Sequence, residues 1–114
     1  MKLLFVCSQN RLRSPTAAAL FANYEGLEVD SAGLDRNAEM TLTSEAIEWA
    51  DIIFVMEKSH RSKLSKKFQP WLKNKRTICL DIPDKYEYGS PALVELLQKK
   101  VIPLLGTVVK RTDV

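Results

Sequence analysis

The apolar positions of this chain fall into short blocks separated by polar stretches. Leu3-Leu4-Phe5-Val6 runs without interruption after Lys2, which predicts a buried parallel strand over 2–6. Cys7 to Arg13 is polar and cannot continue that strand. Ser14 then reads as a helix N-cap with Pro15 at the first helical position, and Ala17-Ala18-Ala19-Leu20-Phe21-Ala22 is strongly helix-forming up to a stop at Gly26. Leu27 to Asp30 predicts a second short strand, ended by Ser31-Ala32-Gly33. The polar stretch 34–42 predicts a loop, and Thr43 or Ser44 caps a short helix through Trp49-Ala50. Asp51 to Met56 is a third strand, with Ile52, Ile53, Phe54 and Val55 apolar in succession. A helix is expected over 58–68, broken by Pro70, and a fourth strand over 77–80. A turn-rich loop, 81–89, leads to Ser90-Pro91, a second cap-plus-proline start. That helix runs to about Leu105, with Pro103 placed to kink its final turn. The pattern therefore predicts one domain over 1–106 and a flexible tail over 107–114.

Strands alternating with helices mean a parallel sheet with right-handed crossovers. The expected fold is α/β, a three-layer sandwich: a four-stranded parallel sheet with helices on both faces. In such sheets the working site lies outside the carboxyl ends of the strands. Three polar segments fall there: Cys7–Arg13, Ser31–Gly33 and Asp81–Tyr88.

Composition narrows the class without changing this picture. The 114 residues are 46% apolar and 27% charged, a globular balance in a single-domain length. The early apolar run Leu3–Val6 is too short for a signal-peptide core or a membrane span, so the expectation is a cytoplasmic protein that uses no membrane. The two cysteines, Cys7 and Cys79, are expected as free thiols rather than a disulfide framework. The net charge of +3 is unevenly spread: eight basic residues and no acidic one lie between Lys58 and Arg76, while elsewhere nine basic residues face fourteen acidic ones, a formal −5. Such a run reads as a solvated helix face, or as a docking surface for an acidic partner. With only Phe68 and Trp71 inside it, it lacks the aromatic interleaving of a single-strand binder, which argues against nucleic acid.

Chemistry concentrates in Cys7-Ser8-Gln9-Asn10-Arg11-Leu12-Arg13-Ser14. A loop between a strand and a helix N-terminus turns backbone N–H groups and the positive end of the helix dipole toward one point. It begins with a thiol, expected to ionise readily in that field. It ends with a guanidinium whose planar fork can hold two phosphate oxygens. The combination suits a tetrahedral oxyanion with a nucleophile beneath it. Ser14 can cap the helix, hydrogen-bond the Cys7 sulfur, or both. Asn10 tolerates left-handed geometry and reads as a scaffold of the curve.

Cys-(five residues)-Arg-Ser-Pro directly after an amino-terminal apolar strand resembles the low-molecular-weight protein-tyrosine-phosphatase family, in a short variant. Cys7, Asn10, Arg13, Ser14 and Pro15 stand where that family's loop has them. Val29-Asp30-Ser31-Ala32-Gly33, Ala50-Asp51-Ile52-Ile53-Phe54-Val55-Met56-Glu57 and Ile82-Pro83-Asp84-Lys85-Tyr86 are similar to its later segments, in order. The resemblance implies a phosphomonoesterase acting on phosphotyrosine-like aryl phosphates through a phosphocysteine, with no metal or organic cofactor. Cys7 would be the nucleophile, Arg13 the phosphate clamp and Asp84 the general acid. Ser8, Gln9, Asn10, Arg11, Leu12 and Ser14 would bind substrate through the loop, and Tyr86 would flank an aromatic ring. The partner implied is a phosphorylated protein or a small aryl phosphate, with inorganic phosphate as product.

The chain departs from the family pattern in five places: Gln9 replaces a glycine, Arg11 a small or aliphatic residue and Lys85 a proline; Leu12 stands where many members carry a second loop cysteine, and the helix expected between Gly33 and Ser44 is missing. Arg11 either reaches solvent or lines the pocket mouth, where it would favour acidic substrates and repel a phosphoarginine guanidinium. Asp81 is a weaker candidate for the acid. Tyr86 otherwise packs on the surface. His60, the only histidine, reads as a surface residue of the basic helix, and Cys79 and the two tryptophans as packing. Two further functions use the same loop. One is a phosphate-binding module without turnover. The other is a thiol-dependent arsenate reductase, for which only Cys79 could serve the disulfide relay.

Overall fold

The computed structural model describes residues 1–106; the expected tail, 107–114, lies outside the described residues. The strands are β1 (Lys2–Cys7), β2 (Glu28–Gly33), β3 (Ile52–Val55) and β4 (Arg76–Cys79). The helices are α1 (Arg13–Phe21), α2 (Ser44–Trp49), α3 (Lys58–Phe68) and α4 (Pro91–Val101), with short 3-10 turns at Gln69–Trp71 and Ile102–Leu104. All strands pair in parallel, in the order β2-β1-β3-β4. Among the described residues no helix is long and apolar enough to cross a membrane.

Alternation along β1 divides the core. Leu3, Phe5 and Cys7 face one side, with Phe21 of α1 and Leu93, Leu97 and Val101 of α4. Leu4 and Val6 face the other, with Ile47 of α2 and Leu64 of α3. This is the period of two expected of a strand covered on both faces. Phe5 is stacked between Phe21 and Phe54, with ring centroids 5.6 and 5.0 Å away. The three-layer sandwich is thus the observed architecture.

Local differences from the sequence reading have identifiable causes. Helix α1 begins at Arg13, and its N-cap position is Leu12, not Ser14. The Ser14 hydroxyl is taken up at 2.8 Å from Cys7 Sγ and 2.9 Å from Asn10 Oδ1, so it is not a cap. Strand β2 continues through Ser31-Ala32-Gly33, because Gly33 pairs with Cys7 at the end of β1. At α4 the chain tightens into the Ile102–Leu104 turn around Pro103, which cannot supply the amide an α-helix needs there. Thr43 does cap α2, its Oγ1 accepting from the Ala46 amide at 3.2 Å. His60 is not on the surface: it is 1% exposed, on the buried stripe of α3 with Leu64.

Candidate active site

The loop from β1 to α1 is bent around its own first side chain. The carbonyls of Cys7, Ser8 and Gln9 accept from the amides of Leu34, Asp35 and Glu39 at 2.9, 2.8 and 3.2 Å. Peptide units are planar and trans, so the N–H groups of Ser8, Gln9 and Asn10 point the opposite way, into the curve. The Asn10 amide reaches Cys7 Sγ at 3.2 Å. Asn10 itself has φ of 56°, the left-handed geometry that asparagine tolerates. Gln9 has no positive φ, so the residue in place of the family's glycine sits on unstrained backbone. The loop rests on Gly33: a Cβ there would lie 2.5 Å from Ala38 Cβ, 2.7 Å from the Ser8 carbonyl and 3.1 Å from the Asn10 amide.

The curve opens into a hollow of about 430 Å³ lined by Cys7, Ser8, Gln9, Arg11, Leu12, Arg13 and Asp84. The sulfur has two polar neighbours, the Asn10 amide and the Ser14 hydroxyl. That hydroxyl has one proton for two acceptors, sulfur and Asn10 Oδ1. A thiolate accepts it; a thiol must donate its own proton to Ser14 Oγ instead.

Arg13 is 4% exposed and anchored on one edge. Its Nη1 donates to Glu57 Oε2 at 2.9 Å and to the Ile82 carbonyl at 2.7 Å, and its Nε is 3.7 Å from Asp84 Oδ1. Arg13 also lines the hollow, and its side-chain hydrogen bonds among the described residues both run from Nη1, leaving Nη2 unused. Asp84 stands at the rim, its side chain 63% exposed.

Behind the loop lies a pair that the sequence did not reveal, His60 and Glu57. The Glu57 amide donates to His60 Nδ1 at 3.1 Å. An amide can only donate, so Nδ1 is the acceptor and the neutral ring carries its proton on Nε2. That proton faces Ser8 Oγ at 3.0 Å, with Glu57 Oε2 more distant at 3.4 Å. Ser8 Oγ is thereby an acceptor from His60, and its own hydrogen is left to point elsewhere. Burial above all, then the Arg13 charge, holds the imidazole below the ordinary histidine range; Glu57 pulls it upward, Lys63 adds to the lowering and Asp84 opposes it. The one legible signal was spacing: a histidine three residues after a would-be N-cap reaches back to that residue's amide, as a glutamate does in a capping box.

The other expected residues divide clearly. Asn10 and Ser14 are buried beneath the loop and do not line the hollow. Arg11 does line it and is also exposed, 3.7 Å from Glu39. Tyr86 is not among the lining residues; it is half-buried against the core on the α4 side, with Lys85 Nζ 5.6 Å from its ring centre. Asp81 lines a neighbouring groove with Glu57 and Lys58, and its carboxylate is 3.5 Å from Cys79 Sγ. Cys79 is not part of the hollow.

A parallel sheet whose first strand feeds a Cys-x5-Arg loop, with an aspartate arriving from beyond the last strand, defines a class of cysteine-centred anion sites. The family model for low molecular weight phosphotyrosine protein phosphatase matches residues 2–50. The amino-terminal 49 residues are thus similar to that family, and the fold agrees with its solved structures. A protein-arginine-phosphatase from Geobacillus stearothermophilus is 33% identical over an alignment taking in 59% of this chain and 62% of that relative, so the chain spans less than two thirds of its length. The structure of YwlE arginine phosphatase from the same organism superposes with a TM-score of 0.70 at 26% identity, covering 90% of this chain and 89% of that one. Vibrio vulnificus Wzb in complex with benzylphosphonate gives a TM-score of 0.61 at 26% identity, covering 85% and 89%.

Proposed function

We propose that this chain is a phosphomonoesterase that hydrolyses phosphotyrosine-like aryl phosphates through a phosphocysteine intermediate. The observation that carries the reading is the hollow itself: the Cys7 sulfur at its base, amides turned inward around it, the free edge of Arg13 at one side and Asp84 at the rim. The phosphoryl group sits with its non-bridging oxygens on the loop amides and the Arg13 fork. Cys7 thiolate attacks phosphorus in line as the ester oxygen leaves, and Asp84 gives that oxygen its proton. Asp84, now a carboxylate, takes a proton from a water that attacks the phosphocysteine, releasing inorganic phosphate and the free thiolate. Ser8, Gln9, Arg11 and Leu12 shape the mouth. Asn10 and Ser14 act from below by holding the loop and the sulfur.

Turnover of para-nitrophenyl phosphate, with and without vanadate, tests this. The wild type should turn over, Cys7→Ser should not, and Asp84→Ala should be slower by about 10²–10⁴. Tight phosphate binding by a wild type that does not turn over would sink the enzymatic reading in favour of a binding module. The Geobacillus relatives named as arginine phosphatases support a second reading, in which the leaving group is a guanidinium. Arg11 at the mouth opposes it by like-charge repulsion, although Glu39 partly offsets that charge. Comparing kcat/KM for phosphotyrosyl and phosphoarginyl peptides decides between the two.

A further inference from the structure

A second hollow, of about 330 Å³, adjoins the first and shares Ser8 with it. Its other walls are Leu34, Asp35 and Arg36 from the segment after β2, and Lys63 and Lys67 from α3. Three of these six residues are cations. None of the three lies within ion-pair distance of a carboxylate among the described residues. Lys67 Nζ gives one hydrogen to the Leu34 carbonyl at 3.3 Å, and the Asp35 carboxylate accepts from the Asn37 amide at 2.9 Å. Counting Asp35, the hollow carries two net positive charges.

Helix stability does not account for them. Lys63 and Lys67 are four residues apart, a spacing at which like charges disfavour a helix. They flank the His60–Leu64 stripe, so the turn of α3 that grips Ser8 from behind also displays cations beside it. The aromatic residues of the basic run, Phe68 and Trp71, pack edge to face at 6.1 Å, and neither lines this hollow.

We propose that the Arg36–Lys63–Lys67 hollow is a docking subsite for acidic side chains lying close in sequence to the phosphorylated residue of a protein substrate. The proposal rests on the phosphatase reading above and adds the substrate class. Exposed charges of this kind steer association and set partner choice more than they add affinity, and salt screens them.

The test uses two phosphotyrosyl peptides of equal length, one with Asp and Glu flanking the phosphotyrosine and one with Asn and Gln. Both are assayed by turnover on the wild type and by fluorescence anisotropy on Cys7→Ser, so that binding is read even without chemistry. The acidic peptide should have the higher kcat/KM, through a lower KM, and the tighter binding. Both advantages should shrink at high ionic strength. Lys63→Gln/Lys67→Gln should reduce the acidic advantage by about three- to tenfold, the combined worth of two exposed charges, and leave para-nitrophenyl phosphate turnover unchanged. Equal binding of the two peptides overturns the subsite, whether or not the protein turns over. Absence of turnover with a retained acidic preference in binding overturns the enzymatic reading alone. Single-stranded RNA that binds tighter than the acidic peptide, and is lost in the same double variant, reassigns the lysines to nucleic acid.

Discussion

His60 is the single histidine of the chain, which makes its titration separable from every other group. Its native form is neutral, with Nδ1 committed to the Glu57 amide and the Nε2 proton facing Ser8. Because burial and Arg13 depress its affinity for a proton, the unfolded chain binds that proton more readily than the native one does. The resulting stabilisation is full above the ordinary histidine value of about 6.5 and is lost as pH falls to and through the depressed native value. Urea midpoints between mildly alkaline and mildly acidic pH should therefore decline for the wild type. They should stay nearly level for His60→Gln, from a lower starting stability. A parallel decline in both proteins would remove His60 as the cause. At this scale the sequence misled for a definite reason: Lys58, Arg61, Lys63, Lys66 and Lys67 made the surrounding helix look wholly solvated, and only the packing of α3 on β3 turns the face with His60 and Leu64 inward.

Among the elements, β1 and the loop it feeds were the most legible in the sequence. An unbroken apolar strand followed by a polar run and a helix start has few other solutions in a parallel sheet, and Cys7, Arg13 and Asp84 do line one hollow. What local pattern could not supply was long-range partnership. The outward carbonyls of the loop are tied by Leu34, Asp35 and Glu39; the Ser14 contact with the Cys7 sulfur, local to the loop, was by contrast one of the two roles read from the sequence. Gly33 likewise looked like a strand stop, but it is the close approach under the loop that requires glycine. Gly33→Ala should displace the Ser8 and Asn10 backbone and lower kcat/KM by about 10², the order a misplacement near 1 Å can cost, with an unchanged far-UV circular dichroism spectrum. Wild-type kinetics in that variant would show that the loop does not depend on this contact. Phe5→Ala, by contrast, empties the centre of a three-ring stack and should cost about 3–5 kcal/mol in denaturant unfolding.

Across the whole molecule, the site is assembled from segments far apart in the chain: residues 7–13 form its floor, Glu57 and His60 brace it from the start of α3, and Ile82 and Asp84 arrive from beyond β4. An oxyanion bound there bridges the first and last of these segments, so it should stabilise the global fold rather than one loop. Orthovanadate at a hundredfold excess over its Kd should add about 2.7 kcal/mol, which for a domain of this length is on the order of 10 °C in Tm. Arg13→Ala should abolish the shift, and a shift of equal size in that variant would mean that the anion binds elsewhere. The 2.7 Å bond from Arg13 Nη1 to the Ile82 carbonyl also has a consequence for biosynthesis. Cys7 and Arg13 leave the ribosome early, but the carbonyl that aims the guanidinium is made some seventy residues later. Nascent chains stalled before Ile82 should thus present a thiol that alkylating reagents reach but vanadate does not protect. The protection should appear only once the late loop has emerged and folded back.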